Sequence, residues 1–220
     1  MNNTIISRKY KASGILILMG IIIGVLSIIP SLEDHNFITE VSRNKNQVLF
    51  GATLQFFLVP VYIGFSLVLY PLLKQYNKSL SIGFVGFRIM AGTFQLFGIM
   101  ILPLFILLSQ RYVTANPLDL GFYEFIGESL CLVRDLTNHL GVILATGLGN
   151  VLFYSILFKA RLIPKWLSIW GFVGNGLLMI ASFFLLFELL EVVSIEYGLL
   201  SSPLVLQEII LAVWLLRKKG

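Results

Sequence analysis

The chain has 220 residues, 57% of them hydrophobic and 12% charged, with a mean hydropathy of +0.90 and a formal net charge of +5. An ordinary soluble domain carries roughly 25% charged residues, so too few polar groups are present to cover a water-facing surface. The excess of 16 Lys+Arg over 11 Asp+Glu does not point to a nucleic-acid partner, because the positive residues sit at the ends of apolar runs and not on one solvated face.

At about 20 apolar residues per bilayer crossing, this length supplies six spans and leaves no separate soluble domain. The expected fold is therefore an all-α, polytopic transmembrane helix bundle, a single domain over residues 1–220. The first apolar run, Ala12 to Pro30, follows Arg8, Lys9 and Lys11. It has the length of a full span and lacks the short core and cleavage site of a signal peptide, so it reads as a retained helix. The others run from Val48 to Leu73, Leu80 to Leu108, Leu136 to Phe158, Trp166 to Phe187 and Leu199 to Leu216. Pro203 fits the first turn of the last. Cys131 is the sole cysteine, which excludes an intramolecular disulfide.

Basic residues assign the sides, because cytoplasmic loops are enriched in them. One side holds Arg8, Lys9, Lys11, Lys74, Lys78, Lys159, Arg161, Lys165, Arg217, Lys218 and Lys219; the other holds only Arg43, Lys45 and Arg111. Both termini are expected in the cytoplasm.

Several features concern packing. The Gly20 and Gly24 pair has small-xxx-small spacing that lets another helix approach, either inside the bundle or in a homo-oligomer. Pro60 and Pro103 each remove a backbone donor within a span and are expected to bend it. Leu80-Ser81-Ile82-Gly83-Phe84-Val85-Gly86 is similar to Leu167-Ser168-Ile169-Trp170-Gly171-Phe172-Val173-Gly174 with one insertion. A two-helix repeat and chance similarity both account for it.

Ionisable groups at the bilayer centre cost roughly 2.5 to 3.5 kcal/mol each on insertion scales, so depth selects the residues that need explaining. At 1.5 Å of rise per residue, Arg88, Asn150, Asn175 and Glu208 stand about 10 to 13 Å inside four different helices. The expected arrangement is an Arg88 to Glu208 ion pair, with Asn150, Asn175 and Gln207 supplying hydrogen bonds. Such a layer serves either as a static clamp or as a site for a small-molecule ligand or an ion. Arg88 could alternatively snorkel to the headgroups.

A second cluster holds Glu124, Glu128, Arg134, Asp135, Asn138 and His139. One helical stripe could carry Glu128, Asp135 and His139, and a carboxylate beside an imidazole suits acid-base chemistry or metal ligation. His139 lies about 29 Å above Phe158 along a straight helix, at the far interface, where a solvated extension of the fourth helix is the simpler reading. A zinc or calcium site needs three or more ligands. Here it would require the first loop, with Glu33, Asp34 and His35, to fold over the fourth helix. No phosphate-binding glycine loop, His-x-x-x-His pair or nucleophile elbow occurs, and no cofactor or metal is implied.

The segment Leu152-Phe153-Tyr154-Ser155-Ile156-Leu157-Phe158-Lys159-Ala160-Arg161-Leu162-Ile163-Pro164-Lys165-Trp166-Leu167-Ser168-Ile169-Trp170-Gly171 resembles the signature of bacterial membrane proteins classed as domain of unknown function 4386. Leu206-Gln207-Glu208-Ile209-Ile210-Leu211-Ala212-Val213-Trp214-Leu215-Leu216 is similar to that family's last helix, glutamate included, and Arg8-Lys9-Tyr10-Lys11-Ala12-Ser13-Gly14 to its opening. The family more often has an arginine or alanine where Lys11 and Ser13 stand. The resemblance implies a single domain of six to seven helices in a bacterial cytoplasmic membrane and lends no catalytic residues.

The leading functional expectation is a non-enzymatic protein, embedded in the lipid bilayer, that binds or moves a small molecule through the Arg88, Glu208, Asn150, Asn175 and Gln207 layer. The alternatives are a membrane enzyme acting on a lipid-like substrate at the outer face through Asp135, His139 and Glu128, and a structural or immunity-type partner of another membrane protein.

Overall fold

The computed structural model describes residues 3–218, so Lys219 of the basic count lies outside the described residues. Eight α-helices follow one another: α1 (Asn3–Leu26), α2 (Phe37–Arg43), α3 (Lys45–Leu73), α4 (Lys78–Val113), α5 (Leu120–Asp135), α6 (Ile143–Lys159), α7 (Lys165–Leu186) and α8 (Ile195–Arg217). A π-helical stretch, Leu136–Val142, joins α5 to α6 into one rod. Among the described residues there are no strands. Six segments are long and apolar enough to cross a membrane: Thr4–Leu26, Lys45–Leu73, Lys78–Val113, Pro117–Lys159, Lys165–Leu186 and Ile195–Arg217. The chain is therefore an all-α bundle of six such helices, as its hydropathy requires.

The spans form a ring in which each packs on the next in chain order and α8 closes against α1. With an even number of crossings, the start of α1 and the end of α8 share one end with the short turns at residues 74–77 and 160–164. This end is basic. The opposite end, carrying Glu33, Asp34, Asp119, Glu188 and Glu191, is acidic. Large apolar side chains such as Ile22, Phe50, Met100 and Leu107 are exposed on the outer faces, the inverse of a soluble protein and the pattern expected where lipid is the solvent.

Local signals set the helix starts. Asn77 accepts a hydrogen bond from the Leu80 N–H at 2.9 Å, capping α4. Ser194 does the same for the Tyr197 N–H at 3.2 Å, capping α8. Pro60 and Pro103 both lie inside continuous helices. The two similar segments open α4 and α7, and both press glycines on α6: a Cβ on Gly83 would stand 2.7 Å from Leu152, and one on Gly171 2.4 Å from Tyr154.

Pro203, expected in the first turn of the last span, lies inside α8, which begins earlier at Ile195, and two further regions depart from the hydropathy reading. Residues 33–47 read as a polar loop, yet they contain α2, whose Phe37 packs edge-on against Phe105 of α4 with ring centroids 6.1 Å apart, while the Ser109 hydroxyl donates to the Ile38 carbonyl. Seven residues are too short for a hydropathy window to register. The fourth span also begins well before Leu136: the rod from Leu120 to Lys159 is helical throughout, so the charged stretch is an extension of that span.

The larger buried apolar cluster lies toward the basic end, where Leu69, Leu73, Phe84, Phe153, Leu167 and Leu211 are fully enclosed and Phe84 stacks on Phe153 at 5.0 Å. The Lys218 ammonium donates to the Leu162 carbonyl and lies over the rings of Trp214 (4.3 Å) and Tyr10 (4.5 Å), fastening α8 to α1 and to the 160–164 turn. A second apolar cluster around Val41, Leu102 and Phe105 sits toward the acidic end. Cavities occupy the space between the two.

Candidate functional site

Arg88 projects from α4 into the bundle and is 7% exposed. Its Nη2 donates to Asn150 Oδ1 of α6 at 2.5 Å; the Asn150 amide nitrogen donates to Asn175 Oδ1 of α7 at 2.9 Å; the Asn175 amide nitrogen donates to the Gly171 carbonyl at 2.7 Å. One relay of polar groups thus spans three helices. The guanidinium carbon also stands 5.2 Å from the Phe65 ring centroid and 5.5 Å from that of Phe84, whose π faces favour a cation. A second relay crosses beside it: the Tyr154 hydroxyl donates to Gln207 Oε1 at 2.8 Å, and the Gln207 amide nitrogen donates to the Leu167 carbonyl at 3.1 Å. Gln207 is completely buried. The two relays thus give Asn150, Tyr154, Asn175 and Gln207 interhelical or backbone partners at membrane depth.

The sequence-based expectation of an Arg88 to Glu208 ion pair needs correcting. Among the described residues, no oxygen of Glu208 lies within 4.0 Å of Arg88, and Glu208 makes no hydrogen bond. An argument from charge alone overlooks the amide of Asn150 and the faces of Phe65 and Phe84, which hold the guanidinium instead. Both charges face one cavity of about 300 Å³, together with Tyr62, Asn150 and Tyr154, and remain within Coulombic reach of each other. Arg88 Nε is buried without a partner. The layer is therefore half clamp and half open space: Asn150, Asn175 and Gln207 each accept and donate a hydrogen bond within the protein, whereas Glu208 makes none among the described residues. Gly20 and Gly24 line the same cavity. Gly20 has Val61 at 3.5 Å from where its Cβ would be, and Gly24 has nothing within 4 Å.

Toward the acidic end this cavity meets a larger one of about 690 Å³; Gly24 and Tyr62 line both. Its polar lining includes Gln55, Gln95, Asn138, His139 and Tyr197. The Gln95 amide nitrogen faces Gln55 Oε1 at 3.5 Å, and Gln55 donates to the Ser27 carbonyl at 3.3 Å. Farther out, Glu33, Asp135 and His139 are shared with a third cavity, the mouth, which adds His35, Glu188 and Glu191.

The first loop does fold over the fourth span. Arg134, 7% exposed, bonds Glu33 at 3.1 Å and Asp135 at 2.7 Å through Nη2, and Asp135 at 2.8 Å through Nε. Burial raises the Glu33 carboxyl above its ordinary value; Arg134 opposes the shift and Asp135 adds to it. His139 Nδ1 and the Tyr197 hydroxyl lie 2.8 Å apart with the rings edge-on. A π turn takes about one residue more than an α turn, which keeps Asp135 and His139 on one side of the rod, but Asp135 pairs with Arg134 and His139 with Tyr197. Glu128 is exposed on α5, about 10 Å farther out, and lines none of these cavities. The Glu128, Asp135 and His139 stripe is thus split into three environments. No group of three or more His, Cys, Asp or Glu could hold a metal ion among the described residues.

Reading charged groups and the amides at their level left out Tyr62, Tyr154, Gln55, Gln95 and Tyr197. Gln55 and Gln95 carry a detectable signal, an uncharged polar residue near the middle of an apolar run; the tyrosines are too common in membrane helices to stand out.

A ring of six membrane-length helices around an internal cavity walled by opposite charges defines a multi-pass α-helical membrane protein. The chain belongs to the family described as Domain of unknown function (DUF4386), whose family model matches residues 12–218. Neither the curated proteins nor the solved structures contain a match to this chain.

Proposed function

We propose that this protein resides in a bacterial cytoplasmic membrane with both termini in the cytoplasm, and that it binds or moves a small molecule in the chamber between Arg88 and Glu208. The orientation is supported by the basic residues gathered at the end that carries the termini. The binding role is carried by one observation. Two opposite charges at membrane depth face a cavity of about 300 Å³ without pairing to each other. A clamp has no use for that volume, since filling it and closing the ion pair would be more stable. The volume lies at the small end of the range for ligand pockets, about 300 to 1,000 Å³.

The enzyme reading through Asp135 and His139 has less support, because Asp135 is engaged by Arg134 and His139 by Tyr197. A homo-oligomer or partner contact through Gly20 and Gly24 also has less, because both glycines line the chamber.

Native mass spectrometry of the detergent-purified protein tests the proposal. A bound small molecule is expected in the wild type and in Glu196→Gln, in the first turn of α8, but is expected to be lost from Glu208→Gln. Identical spectra for Glu208→Gln and the wild type would overturn it.

A further inference from the structure

We propose that the chamber takes a small zwitterion, an ammonium and a carboxylate on one apolar body, admitted from the acidic end of the bundle. This rests on the binding role given above and specifies its chemistry.

Charge balance carries the argument. The chamber walls hold one cation, Arg88, and one anion, Glu208, with no ion pair between them. A ligand of net charge would leave an uncompensated charge in a low-dielectric site, which is strongly unfavourable. A zwitterion laid head to tail gives each wall its complement: its ammonium meets the Glu208 carboxylate and its carboxylate meets the guanidinium. Arg88 has donors to spare, because among the described residues Asn150 is its sole hydrogen-bond partner and Nε is buried with none. Beyond Tyr62, Asn150 and Tyr154 the remaining wall, including Leu16, Ile21, Phe65, Val205 and Leu211, is apolar and suits a hydrocarbon or aromatic body.

Access follows from the packing. The enclosed cluster around Leu69, Phe84, Phe153 and Leu211 packs the basic side of the chamber, whereas on the acidic side Gly24 and Tyr62 line both the chamber and the larger cavity. The mouth carries Glu33, Asp135, Glu188 and Glu191 against Arg134, four negative charges minus one positive. Such a field turns away simple anions and tolerates a molecule with no net charge.

Calorimetric titration of the full-length protein in detergent tests this with three apolar bodies, each in three charge states. The amino acids are leucine, phenylalanine and tryptophan; the matched amines and acids lack the carboxylate or the ammonium. At least one amino acid is expected to bind about tenfold or more tighter than both its amine and its acid, and to lose that advantage in Glu208→Gln. An amine or acid that binds as tightly as its amino acid, or a panel in which no amino acid binds, overturns the assignment. Gly24→Leu tests the route: a Cβ there meets nothing within 4 Å, so the variant should fold yet bind about tenfold more weakly, and wild-type affinity in it overturns access past Gly24. If the panel fails while native mass spectrometry still finds a Glu208-dependent species, the zwitterion is wrong and the binding role stands; if both fail, both fall.

Discussion

Gly171→Ala places the new methyl group against the buried ring of Tyr154. A Cβ at residue 171 would lie 2.4, 2.5 and 2.7 Å from Cζ, Cε1 and Cε2 of Tyr154, where carbon atoms rest at about 3.5 to 4.0 Å. The ring must retreat by about 1 Å. Tyr154 is 1% exposed, its ring packs beside Phe153 at 5.2 Å, and its hydroxyl is held by Gln207, itself held by the Leu167 carbonyl. Overpacking of this kind costs about 1–3 kcal/mol, and a strained hydrogen bond adds about 1 kcal/mol. The gain from replacing glycine in a helix interior returns about 0.5–1 kcal/mol. The expected net loss is about 1–3 kcal/mol. The control is Gly176→Ala on the same helix, where a Cβ meets nothing within 4 Å and the propensity gain acts alone. Cys131, the single thiol and half-buried, allows thermal unfolding in detergent to be followed with a thiol-reactive fluorophore. The midpoint should fall by about 2–4 °C per kcal/mol in Gly171→Ala and hold or rise in Gly176→Ala. Equal midpoints for the two variants would refute the close contact between α6 and α7.

Asn150→Leu strips Arg88 of its acceptor and Asn175 Oδ1 of its donor. With about 1–3 kcal/mol for each buried group left unmade, tempered by the average of about 0.6 kcal/mol for interhelical hydrogen bonds in membranes, the loss should be about 2–4 kcal/mol. Asn150→Asp keeps the acceptor and supplies a countercharge to Arg88, so it should be the milder change, and equal losses in the same unfolding assay would count against the relay. Glu33 should show a pH signature. Burial raises its carboxyl above the ordinary value of 4.5 despite Arg134, so the fold favours the neutral form, and this contribution is present below the ordinary value and lost as pH rises through the raised one. The melting midpoints of wild type and Glu33→Gln should therefore agree near pH 4.5 and diverge toward neutrality, with Glu33→Gln the more stable; a more stable wild type at neutral pH would show that the Arg134 pair outweighs burial.

The number and rough limits of the spans were legible in the chain because hydropathy is a property of consecutive residues, and lipid enforces it without reference to neighbours. Depth was legible for the same reason: counting from the cytoplasmic ends of the spans brought Arg88, Asn150, Asn175 and Glu208 to one level, and hydrogen bonds and a shared cavity gather them there. Pairing within that level depended on which side chain each helix turns toward which neighbour, and on competitors from other helices. Phe65, Phe84 and Asn150 take the guanidinium of Arg88, so Glu208 faces open space. The same holds at the acidic end. Asp135 and His139 are four residues apart in the chain, yet Glu33 and Tyr197, distant in sequence, set their surroundings through Arg134 and a shared hydrogen bond. Spacing along a helix specifies a direction, but only the assembled ring determines what stands there, because volume, competing donors and cavities arise between segments and not within them.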